Sequence, residues 1–559
     1  MAKYLLIIFL ACTFRLGAQH PHYAKNGMVV SASAIASDAG VEILKKGGNA
    51  IDAAVATAFA LAVTWPSAGN IGGGGFIVYR DQTGAVTTFD FREKAPNAAT
   101  EDMYLDDDGN LIHDLNHRGI LSVGIPGTVA GLYDAHQKYG KLPWSQVVRS
   151  AVRLAKKGFA FTYGIHRDAI SHERTWKQYP STTRVMFREG SGHYLPGENF
   201  RQPDLAKTLK RIRKRGKEGF YRGTTAETLV DFVQSMGGIF TLEDLAQYKA
   251  VERKPVSGTY RGYEIYSMAP PSSGGITLIQ MLNILEGYDL AAEGYHSAAY
   301  VHLVTEAMRR GYANRAMYLG DPDFNPDIPV DKLVSKAYAQ TLRSTIDTDT
   351  ISVSDPSAFS QVYESPNTTH LSVLDKDGNA VSLTYTLEYS YGSQIVADGL
   401  GFFLNNEMGD FNPVPGLTDT TGLVGTPPNT IAPQKRMLSS MTPTLIVHNN
   451  KPFMIIGTPG GRTIINTVLQ VILNIIDHDM NIAEAIDAKR FHHQWLPDEL
   501  RWEEHGLSDD TRRILTGMGH RLREINSQGA AMGILYDPDR KLISGHADPR
   551  SPDGGASGY

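Results

Sequence analysis

The chain offers few groups capable of covalent chemistry, and the most unusual is Thr368. It heads a strongly strand-like run, 368–374, and follows a polar, proline-containing stretch, 352–367. A threonine hydroxyl is a weak nucleophile and needs a base beside it. One solution is a backbone cut that makes the threonine N-terminal, so that its own α-amine takes the proton. Here that cut falls between Asn367 and Thr368. Taken alone, Thr-Thr opening a strand is ordinary β-propensity, and that plain reading prevails unless the rest of the chain speaks against it. The Gly72 to Gly75 run is better read as a tight helix-to-strand turn than as an anion cradle. His492-His493 lacks a third ligand at metal-binding spacing and is read as structural. No dinucleotide glycine fingerprint, P-loop lysine, His-Glu-x-x-His or Gly-x-Ser-x-Gly elbow occurs.

The elements around these residues follow from periodicity. Small and apolar residues at helical spacing predict a helix over 33–46, and a second, Ala-rich helix spans about 52–63. Residues 76–79 and 85–91 read as a hairpin ending at Arg92. The strongest hairpin signal pairs 368–374 with 380–386 across Asp375-Lys376-Asp377-Gly378-Asn379. Two more pair 444–447 with 453–456 and 531–536 with 541–544, and a helix covers about 463–476. The middle, about 122–338, reads as mostly helical, and 352–367 as an exposed, mobile segment. Strands at both ends of the chain and no clean linker imply one α+β unit whose sheets draw on both ends.

Composition narrows the function classes. The 559 residues suffice for a large core, and 42% hydrophobic with 20% charged residues is typical of a globular protein. A formal charge of -5 argues against a surface made for nucleic acid. Seven Lys or Arg do crowd into 207–217, but without aromatics, and they read as a solvated helix face. Residues 1–18 read as a signal peptide, with Lys3, an apolar stretch 4–11 and a small-residue cleavage site at Leu16-Gly17-Ala18. The expectation is an exported protein, periplasmic or secreted; the alternative is a lipid anchor on Cys12. Cys12 is the one cysteine, so a chain cut after Ala18 has no thiol chemistry.

Several short motifs, in order and spacing, closely resemble the γ-glutamyltransferases (glutathione hydrolases). They are Thr368-Thr369-His370 with the Asp375 turn and Thr384-Tyr385-Thr386, Leu404-Asn405-Asn406-Glu407 with Asp410, Leu438-Ser439-Ser440-Met441, and Gly457-Thr458-Pro459-Gly460-Gly461. Asp90-Phe91-Arg92-Glu93, Gly124-Ile125-Pro126-Gly127, Pro271-Ser272-Ser273-Gly274-Gly275 and Asp548-Pro549-Arg550 extend the likeness over the mature chain. The resemblance implies a four-layer αββα sandwich of the N-terminal-nucleophile hydrolase type. It also implies a proenzyme that cuts itself into a large subunit, 19–367, and a small one, 368–559, which stay together as a heterodimer.

By the same resemblance, Thr368 forms a γ-glutamyl ester from glutathione or another γ-glutamyl amide and passes it to water or to an amino-acid or peptide acceptor. Gly460 and Gly461 supply the oxyanion hole, and the Thr386 hydroxyl supports the nucleophile. Arg92, with Ser439 and Ser440, takes the donor's carboxylate, while Glu407 and Asp410 face its ammonium. No metal or organic cofactor is implied.

Two departures stand out. Glu388 occupies a position where many members have Asn, which makes three carboxyls of two and raises the prospect of a shifted pKa. Thr421, in a lid-length segment 413–433, stands where a lid aromatic is common. The alternatives are a cephalosporin or glutaryl acylase of the same superfamily, and a non-catalytic periplasmic amino-acid-binding protein.

Overall fold

A computed structural model describes residues 20–188, 192–354, 368–416 and 427–559. The stretch read as a signal peptide with Cys12, Asn367 at the expected cut with most of the segment read as mobile, and Thr421 of the lid-length segment lie outside the described residues.

Two seven-stranded sheets, antiparallel throughout, form the centre of the molecule. One runs Gly555–Gly558, Met28–Ser31, Thr369–Leu374, Ala380–Thr386, Gly74–Arg80, Val86–Asp90, Val251–Arg253. The other runs His22–Ala24, Leu542–Ala547, Met532–Asp537, Lys451–Gly457, Thr444–His448, Tyr263–Ser267, Val256–Tyr260. They pack face to face, and buried hydroxyls stitch them together. Ser372 Oγ donates to the carbonyls of Ile455 and Met532, and Ser382 Oγ to that of Ile456. Helices Ala34–Lys45 and Ala50–Thr64 cover the first sheet, while Gly274–Leu285 and Thr463–Ile476 cover the second. This is the αββα sandwich that the resemblance implies.

The Ala-rich helix shows why small residues matter at this layer. All fifteen residues of Ala50–Thr64 are buried. The neighbouring helix approaches so closely that a Cβ on Gly40 would lie 2.2 Å from Thr57 Oγ1. Asn49 and Asp52 close its N-terminus as a capping box. The central hairpin is tied to the same helix end, because Asp375 accepts from the amides of Ala50, Asp377 and Asn379.

Four hairpins form where the sequence places them, but the middle of the chain is less uniformly helical than its periodicity suggests. Val251–Arg253 extends the first sheet, and Val256–Tyr260 and Tyr263–Ser267 form the far edge of the second. The reason is local: Arg261 at φ 46° and Gly262 at φ 85° make the two-residue left-handed turn that twisted hairpins favour. The basic run lies on Pro203–Arg215, which buries Leu205, Leu209 and Ile212 and turns its charges outward, as a solvated face does.

Candidate active site

Thr368 sits one residue before the Thr369–Leu374 strand and is 8% exposed. It borders two cavities. The narrower is also lined by Arg92, Thr386, Glu388, Asp410, Ser439, Ser440 and Gly461, all drawn from the resemblance. The wider, of about 440 Å3, has Gly460, Gln528, Arg167, Asp168 and Arg501 in its wall. Residues scattered over the whole chain therefore meet at the one threonine.

Arg92 lies two residues past the end of the Val86–Asp90 strand and is wholly buried. Its amide donates to Asp90 Oδ1 at 3.0 Å, and its guanidinium donates to the carbonyls of Met437 (3.3 Å) and Leu438 (3.1 Å). Its Nη1 pairs with Glu407, at 2.5 Å, and its Nη2, which also serves Leu438, with Asp410. Both acids lie on the short 3-10 turn Glu407–Asp410. Asn405 fixes that turn: its Oδ1 accepts from the amides of Gly124 and Glu407, and its Nδ2 donates to the Gly72 and Gly124 carbonyls. Asn429 links the turn to the serine loop by donating to the Asp410 carbonyl and accepting from the Leu438 amide.

The cation and the acids assigned to opposite ends of a zwitterion thus touch one another. That suits an α-amino acid, whose ammonium and carboxylate share one carbon. Burial disfavours the charge on Arg92, but Glu407, Asp410 and Glu93 outweigh it and hold its pKa above the ordinary value. The acids bear the reverse effect. Burial raises the Glu407 carboxyl well above its usual range, and it pushes Glu93 up to about 8. A cationic guest beside these acids would favour their charged forms against that burial.

Gly460 and Gly461 follow the Lys451–Gly457 strand at φ 139° and 54°, both in the left-handed half of conformational space. Their carbonyls accept from Thr463 and Ile464, the opening turn of the next helix. Among the described residues neither glycine amide donates a hydrogen bond, so both donors stand ready beside Thr368. Ser439 Oγ accepts from the Met441 amide, and Ser440 Oγ accepts from Arg315 at 3.0 Å. Thr386 Oγ1 accepts from the Glu388 amide at 2.9 Å.

Some neighbours of the site escaped the sequence reading. Arg315, behind Ser440, is one of three arginines on the helix Ala298–Tyr318, and nothing local distinguishes it. Glu93 was within reach, since it adjoins Arg92 in a quoted motif. His117 contacts Glu388 from a loop with no pattern of its own. The Gly72 to Gly75 run acts by close approach: a Cβ on Gly73 would lie 2.0 Å from the Thr386 carbonyl, and one on Gly74 would lie 2.6 Å from Glu93 Oε2. His492 and His493 bond Asn466, Gln494 and Asp498 inside the fold.

A threonine beside two unused amides suits acyl transfer, and the adjoining pocket suits a zwitterion. Against known proteins, the model of the family described as Gamma-glutamyltranspeptidase matches residues 36–559. This chain belongs to the gamma-glutamyltranspeptidase family. It is 47% identical over 543 residues to the glutathione hydrolase proenzyme of Escherichia coli K12, covering 97% of this chain and 93% of that one. Among solved structures, a gamma-glutamyltranspeptidase from Helicobacter pylori is 47% identical, with a TM-score of 0.56 over 57% of this chain and 91% of its own. A cephalosporin acylase from Bacillus halodurans aligns over 99% of both chains, with a TM-score of 0.86 at 26% identity. The gamma-glutamyltranspeptidase fold is thus shared with an acylase, and the site rather than the fold must carry the choice of substrate.

Proposed function

We propose that this protein is a self-cleaving γ-glutamyltransferase and glutathione hydrolase. The observation that carries the reading is the single pocket in which Thr368 meets Arg92, Asp410, Ser439 and Ser440. In maturation, the Thr368 hydroxyl attacks the carbonyl carbon of Asn367 and the peptide C–N bond breaks. The resulting ester is hydrolysed, which frees the Thr368 α-amine and gives subunits 19–367 and 368–559, held as a heterodimer.

In turnover, that amine takes the hydroxyl proton as Thr368 Oγ attacks the γ-carbonyl of a γ-glutamyl amide such as glutathione. The oxyanion is met by the amides of Gly460 and Gly461. Collapse breaks the C–N bond, the α-amine returns the proton to the leaving amine, and a γ-glutamyl ester remains on Thr368. Water, or the amino group of an acceptor in the wider cavity, then releases it. Arg92, Ser439 and Ser440 hold the donor's carboxylate; Glu388, Glu407 and Asp410 face its ammonium. Among the described residues no helix is long and apolar enough to cross a membrane. The reading of 1–18 as a leader is what supports export to the periplasm or the medium, the alternative being a lipid anchor on Cys12.

The test is an intact-mass spectrum of the purified protein beside Thr368→Ala, with turnover of γ-glutamyl-p-nitroanilide. Two species meeting at Asn367 and Thr368, an unbroken chain in the variant and anilide turnover only in the cut protein are expected. A wild-type chain that stays whole and binds glutamate reversibly would instead favour an amino-acid binder. The acylase likeness supplies the second comparison, glutaryl-7-aminocephalosporanic acid, which lacks the α-ammonium that the three acids await. Faster turnover of that substrate than of the anilide would overturn the γ-glutamyl assignment.

A further inference from the structure

Ten basic residues crowd onto two neighbouring helices of a chain whose formal charge is -5. The helix Arg149–Lys157 carries four of them and no acid, and Pro203–Arg215 carries six and one acid, Asp204. The two lie side by side and antiparallel. At one end the Gln202 amide donates to the Ala155 carbonyl at 2.9 Å; at the other, Trp144 Nε1 donates to the Ile212 carbonyl at 3.0 Å and Arg213 Nε to that of Ser145 at 2.8 Å. Ala151 and Ala155 of the shorter helix and Leu205, Leu209 and Ile212 of the longer are buried, which fixes the side that each turns outward.

On the shorter helix Arg149, Arg153, Lys156 and Lys157 are exposed, at the spacing of one helical face. On the longer, Lys207, Lys210, Lys214 and Arg215 are exposed. Arg153 pairs with Glu42 and Lys207 with Asp204, while the other six make no ion pair among the described residues. The acids just beyond are already taken, Asp134 by Lys217 and Glu218 by Arg222.

A face that serves only to keep a protein dissolved mixes both signs. Here like charges stand three or four residues apart along both helices, which disfavours the helical state. The helix dipole accounts for the cations of the last turns, but it opposes Arg149 at the first position. The arrangement therefore fits a polyanionic partner outside the chain. Neither helix contains an aromatic residue or exposes a large apolar one. The face thus lacks the anchors of a specific protein interface and the stacking groups that hold single-stranded nucleic acid. Cations spread over two helices suit a fluid array of phosphate headgroups, which rearranges to meet them.

We propose that these two helices form a docking face for an anionic phospholipid membrane, holding the protein reversibly at the bilayer surface without insertion. The proposal stands apart from the γ-glutamyl reading, since no residue of the face lines either cavity at Thr368.

The test is co-sedimentation of the purified protein with vesicles of phosphatidylglycerol and phosphatidylcholine in equal parts, against vesicles of phosphatidylcholine alone. Binding to the first and not to the second is expected at about 0.1 M salt. It should be lost at about 1 M, where the screening length shrinks to about 3 Å. A basic residue beside an anionic leaflet strengthens binding about fivefold, so Lys156→Gln, Lys210→Gln and Lys214→Gln combined should weaken it about a hundredfold. Lys451→Gln, Lys489→Gln and Lys541→Gln combined, which removes the same charge from exposed positions on and beside the second sheet, should stay within about twofold. A denaturant midpoint no lower than that of wild type in each triple variant shows that the fold is intact.

No binding to either vesicle, equal binding to both, or a loss as large in the second triple variant as in the first would each overturn the proposal. So would binding of an acidic peptide or of duplex DNA to this face that survives at a salt concentration where vesicle binding is gone.

Discussion

On one side of Thr368 stands Arg92, its side chain 1% exposed and bound to two carboxylates and two carbonyls. On the other side stand Arg167 and Arg501, with side chains 56% and 26% exposed. The first cavity is narrow, with Arg92, Asp410, Ser439, Ser440 and Gly461 grouped around Thr386; the second is wider, with Arg167 and Asp168 of a helix, Arg501 of a small sheet and loop residues such as Gln528 in its wall. Rigidity on one side and room on the other is what a transferase needs if one acyl group is fixed and its acceptors vary. Preorganised groups select sharply, because a wrong guest leaves buried charges unpaired. A wet, half-exposed cavity discriminates weakly.

That contrast can be broken experimentally. The largest effect is expected at the seam between the cavities: Gly460→Ala would place a Cβ 2.5 Å from Thr463 Oγ1 in a backbone conformation that alanine resists. Loss of an aligned oxyanion donor should lower kcat about 10²- to 10³-fold with little change in KM, read by steady-state kinetics. Next is Arg92→Lys on the narrow side, which keeps the charge but not the fork; donor kcat/KM should fall about 10²-fold. On the wide side, Arg501→Ala should raise acceptor KM only about threefold and move donor KM less than about twofold. An Arg501 effect as large as that of Arg92 would dissolve the contrast.

A last effect falls on stability rather than on turnover and concerns protons. Burial first, then Asp410 and Asp90, raise the Glu93 carboxyl to about 8 against the pull of Arg92. Between the ordinary carboxylate range and that value, the folded protein holds a proton that the unfolded chain has released. Stability therefore falls as pH rises through this window and levels off above about 8, by at most about 1.4 kcal/mol per pH unit for one proton. Glu93→Gln stays neutral, so its denaturant midpoint should change less between pH 5 and 8 than that of wild type. Equal slopes would place the proton elsewhere.

The fold was legible where one face of an element is buried and its turn is spelled out, as in 368–386 with its Asp375 turn. It was not legible in 251–267, where three short strands sit among helices and their pairing partners lie up to 183 residues away, as for Glu264 and Val447. The site divides in the same way. Thr368 drew attention from its own sequence context, whereas Arg92, Glu407, Asp410 and the two glycines took on roles only through the resemblance. Isolated charges carry no signal of convergence. His117 and Arg315 remained hidden because they lie behind Glu388 and Ser440, and the φ of 77° at Glu388 leaves no mark in composition.

The last strand, Gly555–Gly558, pairs with Met28–Ser31, which pairs in turn with Thr369–Leu374, and the carbonyl of Tyr559 accepts from the amides of Lys25 and Asn26. A cut before Thr368 therefore leaves two polypeptides interleaved within one sheet, neither owning a complete one. With the proposed cut, covalent continuity assists only the first folding of the chain. Refolding of the matured protein becomes a second-order encounter that weakens with dilution, while an uncut Thr368→Ala chain refolds at a rate independent of concentration. The working enzyme is in that sense a one-time assembly, whose lifetime is set by how slowly it comes apart.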